Sequence, residues 1–211
     1  MNSKALIAEG IGTFALVFLG AGAAAIGIGG LVGVALAHGI TVMVFAYAFG
    51  SISGSHINPA VTFAMALSGK LAWNETISYW VAQLLGAVAA AGTLFYVLGG
   101  SQSGLGATIP ANGVSFGQTI VLEAILTFFL VNTIIRTTAS KENSGWAPIA
   151  IGATLVAAIL MGGPLTGASL NPARTFGPAF YAGSLDVFWV YLLGTFVGAG
   201  AAAGLNRWLS N

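Results

Sequence analysis

Asn-Pro-Ala occurs twice in this chain, as Asn58-Pro59-Ala60 and as Asn171-Pro172-Ala173. Asn is a favoured helix N-cap, and Pro suits the first helical position, where its missing N–H would have had no intrahelical partner. Each copy therefore reads as a helix start. A short turn containing glycine precedes each, Ser53-Gly54-Ser55-His56-Ile57 in one case and Thr166-Gly167-Ala168-Ser169-Leu170 in the other. An N-cap Asn accepts backbone N–H bonds with its side-chain oxygen and keeps its amide NH₂ for another partner. Two such amides brought together would make a fixed pair of hydrogen-bond donors. Arg174, three residues past Asn171, puts a cation beside the second copy.

The surroundings of these polar groups are very apolar. Of 211 residues, 57% are hydrophobic and 5% are charged, with a mean hydropathy of +0.93. Soluble domains carry about 25% charged residues. Eleven charged side chains cannot cover a water-facing surface of this size, so the chain reads as an integral membrane protein. Its apolar runs are too long and too unalternating for barrel strands. The first run, followed by Ala21-Gly22-Ala23, has some look of a secretory signal. Glu9 inside it, and a similar pattern at Glu123, argue against cleavage. A net charge of +1 gives no reason to expect nucleic acid. There is no cysteine, and two histidines make a poor metal set. No Ser/His/Asp set or phosphate loop appears, so neither an enzyme nor a cofactor is expected.

Six segments are long enough to cross a bilayer at about 20 residues each. They fall near 5–26, 31–52, 76–99, 117–138, 146–163 and 186–208. The segments near 58–68 and 171–181 are apolar but about ten residues long, so each covers about 15 Å, half the hydrocarbon core. Stacked end to end they make one further crossing. Lys4, Lys70, Arg136, Lys141 and Arg207 lie in termini and loops that six crossings place on one side, so both termini are expected in the cytoplasm. The halves repeat, about 1–100 and 117–211, within one channel-sized domain. Glu9 precedes Asn58 by 49 residues, and Glu123 precedes Asn171 by 48. Three crossings per half is an odd number, so the second half enters from the opposite face. Such inverted repeats place a polar path at the midplane. The expected fold is all-α, with six transmembrane helices and two re-entrant half-helices.

Two Asn-Pro-Ala copies at matching repeat positions, Arg174 after the second, and a Glu in the first helix of each half resemble the aquaporin, or major intrinsic protein, family. The resemblance covers essentially the whole chain. It includes Gly54-Ser55-His56-Ile57-Asn58-Pro59-Ala60 and Gly167-Ala168-Ser169-Leu170-Asn171-Pro172-Ala173-Arg174-Thr175-Phe176-Gly177-Pro178. It implies a passive water channel, a homotetramer with one pore per subunit, and a selectivity constriction of His38, Ile159, Ala168 and Arg174. It also implies that Glu9 and Glu123 accept backbone N–H bonds from the two loops. Water-only members carry a second histidine where Ile159 stands, so a wider and more apolar ring is expected. Ammonia, urea and hydrogen peroxide then become alternative permeants. Glycerol fits less well, because glycerol-conducting members have an acidic residue and a lysine where Thr175 and Ala179 stand.

Physical arguments point the same way. Asn58 and Asn171 aim donors at one spot, and each half-helix presents its positive dipole end there. A water in single file would turn its oxygen to these donors and could not relay a proton onward, and the dipoles repel cations. Counting residues from the helix ends puts His38 about 12 Å deep on helix 2 and Ile159 about 20 Å up helix 5, level with Arg174. An intramembrane arginine is functional by default, and carboxylates such as Glu9 and Glu123 must face protein rather than lipid. His56, two residues before Asn58, is expected to line the cytoplasmic vestibule. Trp73 and Trp146 fit an interfacial belt. A non-transporting junction protein is the alternative outside the channel class. The short loops suggest a microbial plasma-membrane form.

Overall fold

Uninterrupted apolar length decides which segments cross the bilayer, and the Asn-Pro pairs decide which stop half-way. The structure is a computed structural model that describes residues 2–139, 142 and 144–210. Lys141, counted above among the basic loop residues, lies outside the described residues. Among the described residues there are six long helices: α1 (Ser3–Ile26), α2 (Gly30–Ser53), α4 (Trp73–Val97), α5 (Phe116–Ala139), α6 (Ala147–Thr166) and α8 (Phe188–Leu209). Two short ones, α3 (Pro59–Leu67) and α7 (Pro172–Ala182), follow the Asn-Pro pairs. No strand occurs among the described residues.

Two departures from the sequence expectation have local causes. Helix α6 was expected to end at 163, before Pro164, but it runs to Thr166. A proline in the last turn removes only one ladder bond. The helix stops at Gly167, whose φ of 81° only glycine adopts freely and whose N–H returns to the Gly163 carbonyl. Helix α1 is not uniform: Leu16–Ala21 forms a π-helical turn between α-helical Ser3–Ala15 and Gly22–Ile26. Nothing in hydrophobic spacing signals such a turn.

Glycines set the closest helix crossings. Gly10 and Gly86 bring α1 against α4, and Gly194 and Gly198 bring α8 onto the Ile120 and Ala124 backbone of α5. These two crossings are repeat mates. Gly39 and Gly152 bring α2 and α6, one from each half, backbone to backbone. Without an apolar driving force between helices in lipid, such close contact supplies much of the association. The outer faces are apolar: Leu36, Ile40 and Val44 on α2, and Val121, Ile125 and Phe129 on α5, are exposed in rows four residues apart. The chain is an integral, multi-pass membrane protein of all-α fold with an inverted internal repeat.

Candidate functional site

Where the two half-helices start, their N-caps grip one another's loops. The Asn58 side-chain oxygen accepts from the Ala60 N–H at 2.9 Å, and its Nδ2 donates to the Leu170 carbonyl at 2.8 Å. Asn171 caps the N–H groups of Ala173 and Arg174 at 2.9 and 3.2 Å, and its Nδ2 donates to the Ile57 carbonyl at 2.8 Å. The sequence alone names no partner for either amide NH₂. In fact each spends one N–H across the junction, because the opposing carbonyl would otherwise be buried unpaired. One N–H on each amide has no partner among the described residues.

The loops before these caps share one backbone path. Gly54, Ser55 and Ile57 have φ of 82°, 49° and 41°, and Gly167, Ala168 and Leu170 have 81°, 47° and 53°. Non-glycine residues with positive φ carry strain of about 1–3 kcal/mol each and persist only when their surroundings hold them. Two buried carboxylates hold them here. Glu9 accepts from the His56 N–H at 2.8 Å and the Ile57 N–H at 2.6 Å, and also from Ser53 Oγ and Gln83 Nε2, both at 2.7 Å. Glu123 accepts from the Ser169 and Leu170 N–H groups at 2.9 Å and from Thr166 Oγ1 at 2.7 Å. Both side chains are fully buried, and each carboxylate ties its own helix to the backbone of one of the two loops.

A narrow cavity of about 60 Å³ runs beside these loops. Its long walls are rows four residues apart: His38, Val42 and Ala46 on α2, Leu130, Ile134 and Thr138 on α5, and Ile151 and Leu155 on α6. Rows at this spacing run along helices, so the cavity is elongated along the bundle. Asn58, Asn171, His56 and Arg174 also border it. The walls are therefore apolar on one side, with polar groups concentrated on the loop side.

His38 and Arg174 border one end of the cavity. His38 Nδ1 donates to the Val34 carbonyl at 2.9 Å, which leaves Nε2 of a neutral ring as an acceptor, buried and without a partner. Arg174 is 3% exposed; its Nη1 donates to the Gly106 carbonyl at 2.6 Å and its Nε has no partner. Ile159 continues the Ile151–Leu155 row by one turn, at the level of that end. Neither it nor Ala168 borders the delimited cavity; both are buried in the apolar cluster around Leu126 and Leu155. His56 bonds Thr62 Oγ1 through Nδ1 at 3.1 Å, packs on the Tyr79 ring and borders the cavity from the loop side.

Several residues of this network escaped the sequence reading. Tyr79 and Tyr191 donate to the carbonyls of Ser53 and Thr166, at 2.9 and 2.6 Å. Gln83 Nε2 ties Glu9 to Thr62 Oγ1 at 2.9 Å, and Thr175 meets Thr108 at 2.8 Å. The signal was available: Ser53/Thr166 and Thr62/Thr175 recur at the offset of the two Asn-Pro-Ala copies, and Tyr79/Tyr191 at an offset one residue shorter.

A sequence profile for the family described as Major intrinsic protein matches residues 1–205. The chain belongs to that family. Among relatives within it, Aquaporin NIP1-1 of Zea mays is 43% identical over 204 residues, covering 94% of this chain and 72% of the relative. Aquaporin TIP2-1 of Arabidopsis thaliana is 40% identical, covering 94% and 84%. Aquaporin Z of Rhodopseudomonas palustris (strain ATCC BAA-98 / CGA009) is 40% identical, covering 94% and 91%. The X-ray structure of the aquaglyceroporin from Plasmodium falciparum superposes with a TM-score of 0.83 at 26% identity, over 97% of this chain and 95% of that one. Membership of the major intrinsic protein family makes the chain a passive transmembrane channel and not an enzyme.

Proposed function

We propose that this channel conducts water in single file between two polar stations. The first is the Asn58/Asn171 junction and the second is a constriction formed by His38, Ile159, Ala168 and Arg174. The observation that carries the reading is the crossed pair of asparagine amides. Each is fixed by its own helix cap and by the opposite loop, and each has one N–H left over in the cavity wall. Donors fixed in advance orient a water without reorganisation, and the positive ends of α3 and α7 oppose cations at the same point. Arg174 repeats the charge barrier at the cavity's end, with His38 Nε2 as the acceptor opposite.

Small neutral solutes form the second reading. The Val42, Ala46, Leu130, Ile134, Ile151 and Leu155 walls are apolar, and by the family resemblance Ile159 stands where water-only members carry a second histidine. Ammonia, urea and hydrogen peroxide are the permeants this favours, and glycerol is a poorer fit. The basic loops place both termini in the cytoplasm, and the short loops favour the plasma membrane of a microbe. The exposed apolar faces of α2 and α5 accommodate lipid and the neighbours of a homotetramer.

Stopped-flow shrinkage of proteoliposomes against an impermeant osmolyte tests the reading. Water permeability is expected well above that of protein-free vesicles, and above the urea permeability of the same vesicles. Permeability equal to bare lipid would support the junction-protein alternative, and fast urea flux with little water flux would reverse the order of permeants.

A further inference from the structure

Helix α1 leaves the α-helical ladder at Leu16–Ala21, where the Gly22 N–H reaches back to the Val17 carbonyl. π-turns frequently mark functional positions. The repeat shows that this one is not demanded by the fold. The 114-residue offset from Glu9 to Glu123 carries 16–21 onto 130–135, which lie in the unbroken α-helix of α5. In an inverted repeat these two stretches flank opposite ends of the path. The π-turn accompanies the end with His38 and Arg174. Its α-helical mate lines the other end through Leu130 and Ile134.

The turn touches both polar walls of that end. Leu16 borders the cavity, and Val17 is fully buried against the cluster that includes Ala87, Ala90 and Ala173 of α4 and α7. Gly20 lies on the His38 ring: a methyl there would sit 2.6 Å from Cδ2 and 2.8 Å from Cγ and Nε2. The Ala21 carbonyl abuts Gly106, which has a φ of 67° and no room for a side chain. The Gly106 carbonyl in turn receives Arg174 Nη1. One helical turn therefore meets the imidazole directly and the guanidinium through a single peptide. Removing one residue from it would rotate Gly20 and Ala21 by about 100° and shift them by about 1.5 Å, so an α-helical turn could not serve both contacts.

We propose that the π-turn of α1 sets the spacing between His38 and Arg174, with Gly20 as the positioning residue that determines the width of the constriction. This rests on the reading of His38 and Arg174 as the constriction. Any side chain at position 20 drives the imidazole across the path toward the guanidinium. Water slows, and a larger solute slows more.

Gly20→Ala, alone and combined with His38→Ala, tests this in proteoliposomes. The single variant is expected to lower water permeability about tenfold, equivalent to raising the barrier by about 1.4 kcal/mol, and to lower the urea-to-water ratio further. In the His38→Ala background the same methyl is expected to change neither quantity, because the ring it displaces is gone. An equal loss in both backgrounds, or no change in either, overturns the proposal. A second readout does not depend on conduction: the imidazole ¹⁵N resonances of His38 should move in Gly20→Ala while those of His56 stay. If the parent protein conducts nothing but the His38 resonances move, the conduction reading falls and the spacing device stands. If it conducts and both ring and ratio are unchanged, the device falls. Should Gly20→Ala fail to fold, recovery by His38→Ala supports the contact, and no recovery overturns it.

Discussion

Glu9 and Glu123 do the same work with unequal numbers of partners. Glu9 receives four donors and Glu123 receives three, and both are fully buried. A glutamine in either place offers an NH₂ to donors that need an acceptor, so one loop N–H loses its partner and one carboxylate charge no longer holds the strained turn. Glu9→Gln is expected to destabilise the channel by about 3 kcal/mol, and Glu123→Gln by less. Thermal melts in detergent would show the order, and equal midpoints would refute it. The strain these residues restrain is specific: Ile57 and Leu170 sit at φ of 41° and 53°, where branched side chains rarely go. Their side chains are buried, that of Ile57 against Gly12 of α1. It is the carbonyls of these two residues that receive the opposing Asn amides.

At the scale of elements, the half-helices and the crossings between full helices call for different kinds of residue. Gly39 and Gly152 let α2 and α6 touch backbone to backbone, whereas Gly204 on α8 has open space around the position of an added methyl. Gly39→Val is therefore expected to cost about 2 kcal/mol or more through overpacking. Gly204→Ala is expected to be neutral or to stabilise by about 0.5–1 kcal/mol through helix propensity. Melting curves of the two variants, run together, check the contrast; equal effects would mean the crossing is not tight. The same elements show what was legible in the sequence. Crossing segments were readable because apolar length is a one-dimensional property, and α3 and α7 because Asn-Pro fixes a helix start locally. The π-turn was not readable, since it arises where Gly20 and Ala21 meet α2 and the Gly104–Gly106 turn, segments distant in sequence. The end of α6 at Thr166 lies a few residues past the segment near 146–163, because apolar length fixes a helix end only to within a few residues. His38 and Arg174 were legible as polar residues in apolar runs. The Gly106 carbonyl that anchors Arg174 was not, because any residue type presents a carbonyl.

For the whole molecule, the proposed conduction of water without charge rests on two barriers at different depths. The asparagine junction is built from neutral amides and helix ends, and its donors survive any change at Arg174. Among the described residues that border the cavity, Arg174 is the only Lys or Arg. Arg174→Val removes that charge and shortens the side chain, while the cap that Asn171 makes to the residue-174 backbone N–H is independent of the side chain. The half-helix should therefore keep its place. Water permeability is expected to stay within about threefold of the parent, because one hydrogen bond of about 1 kcal/mol is exchanged for a wider opening. Methylammonium uptake and proton flux, followed with a pH-sensitive dye in the same vesicles, are expected to rise from the lipid baseline, methylammonium more than protons. The amide junction still interrupts the water file for protons, whereas a small cation no longer meets a fixed charge at the constriction. Equal rises for both ions would mean that the guanidinium alone carries exclusion and that the crossed asparagines contribute only structure.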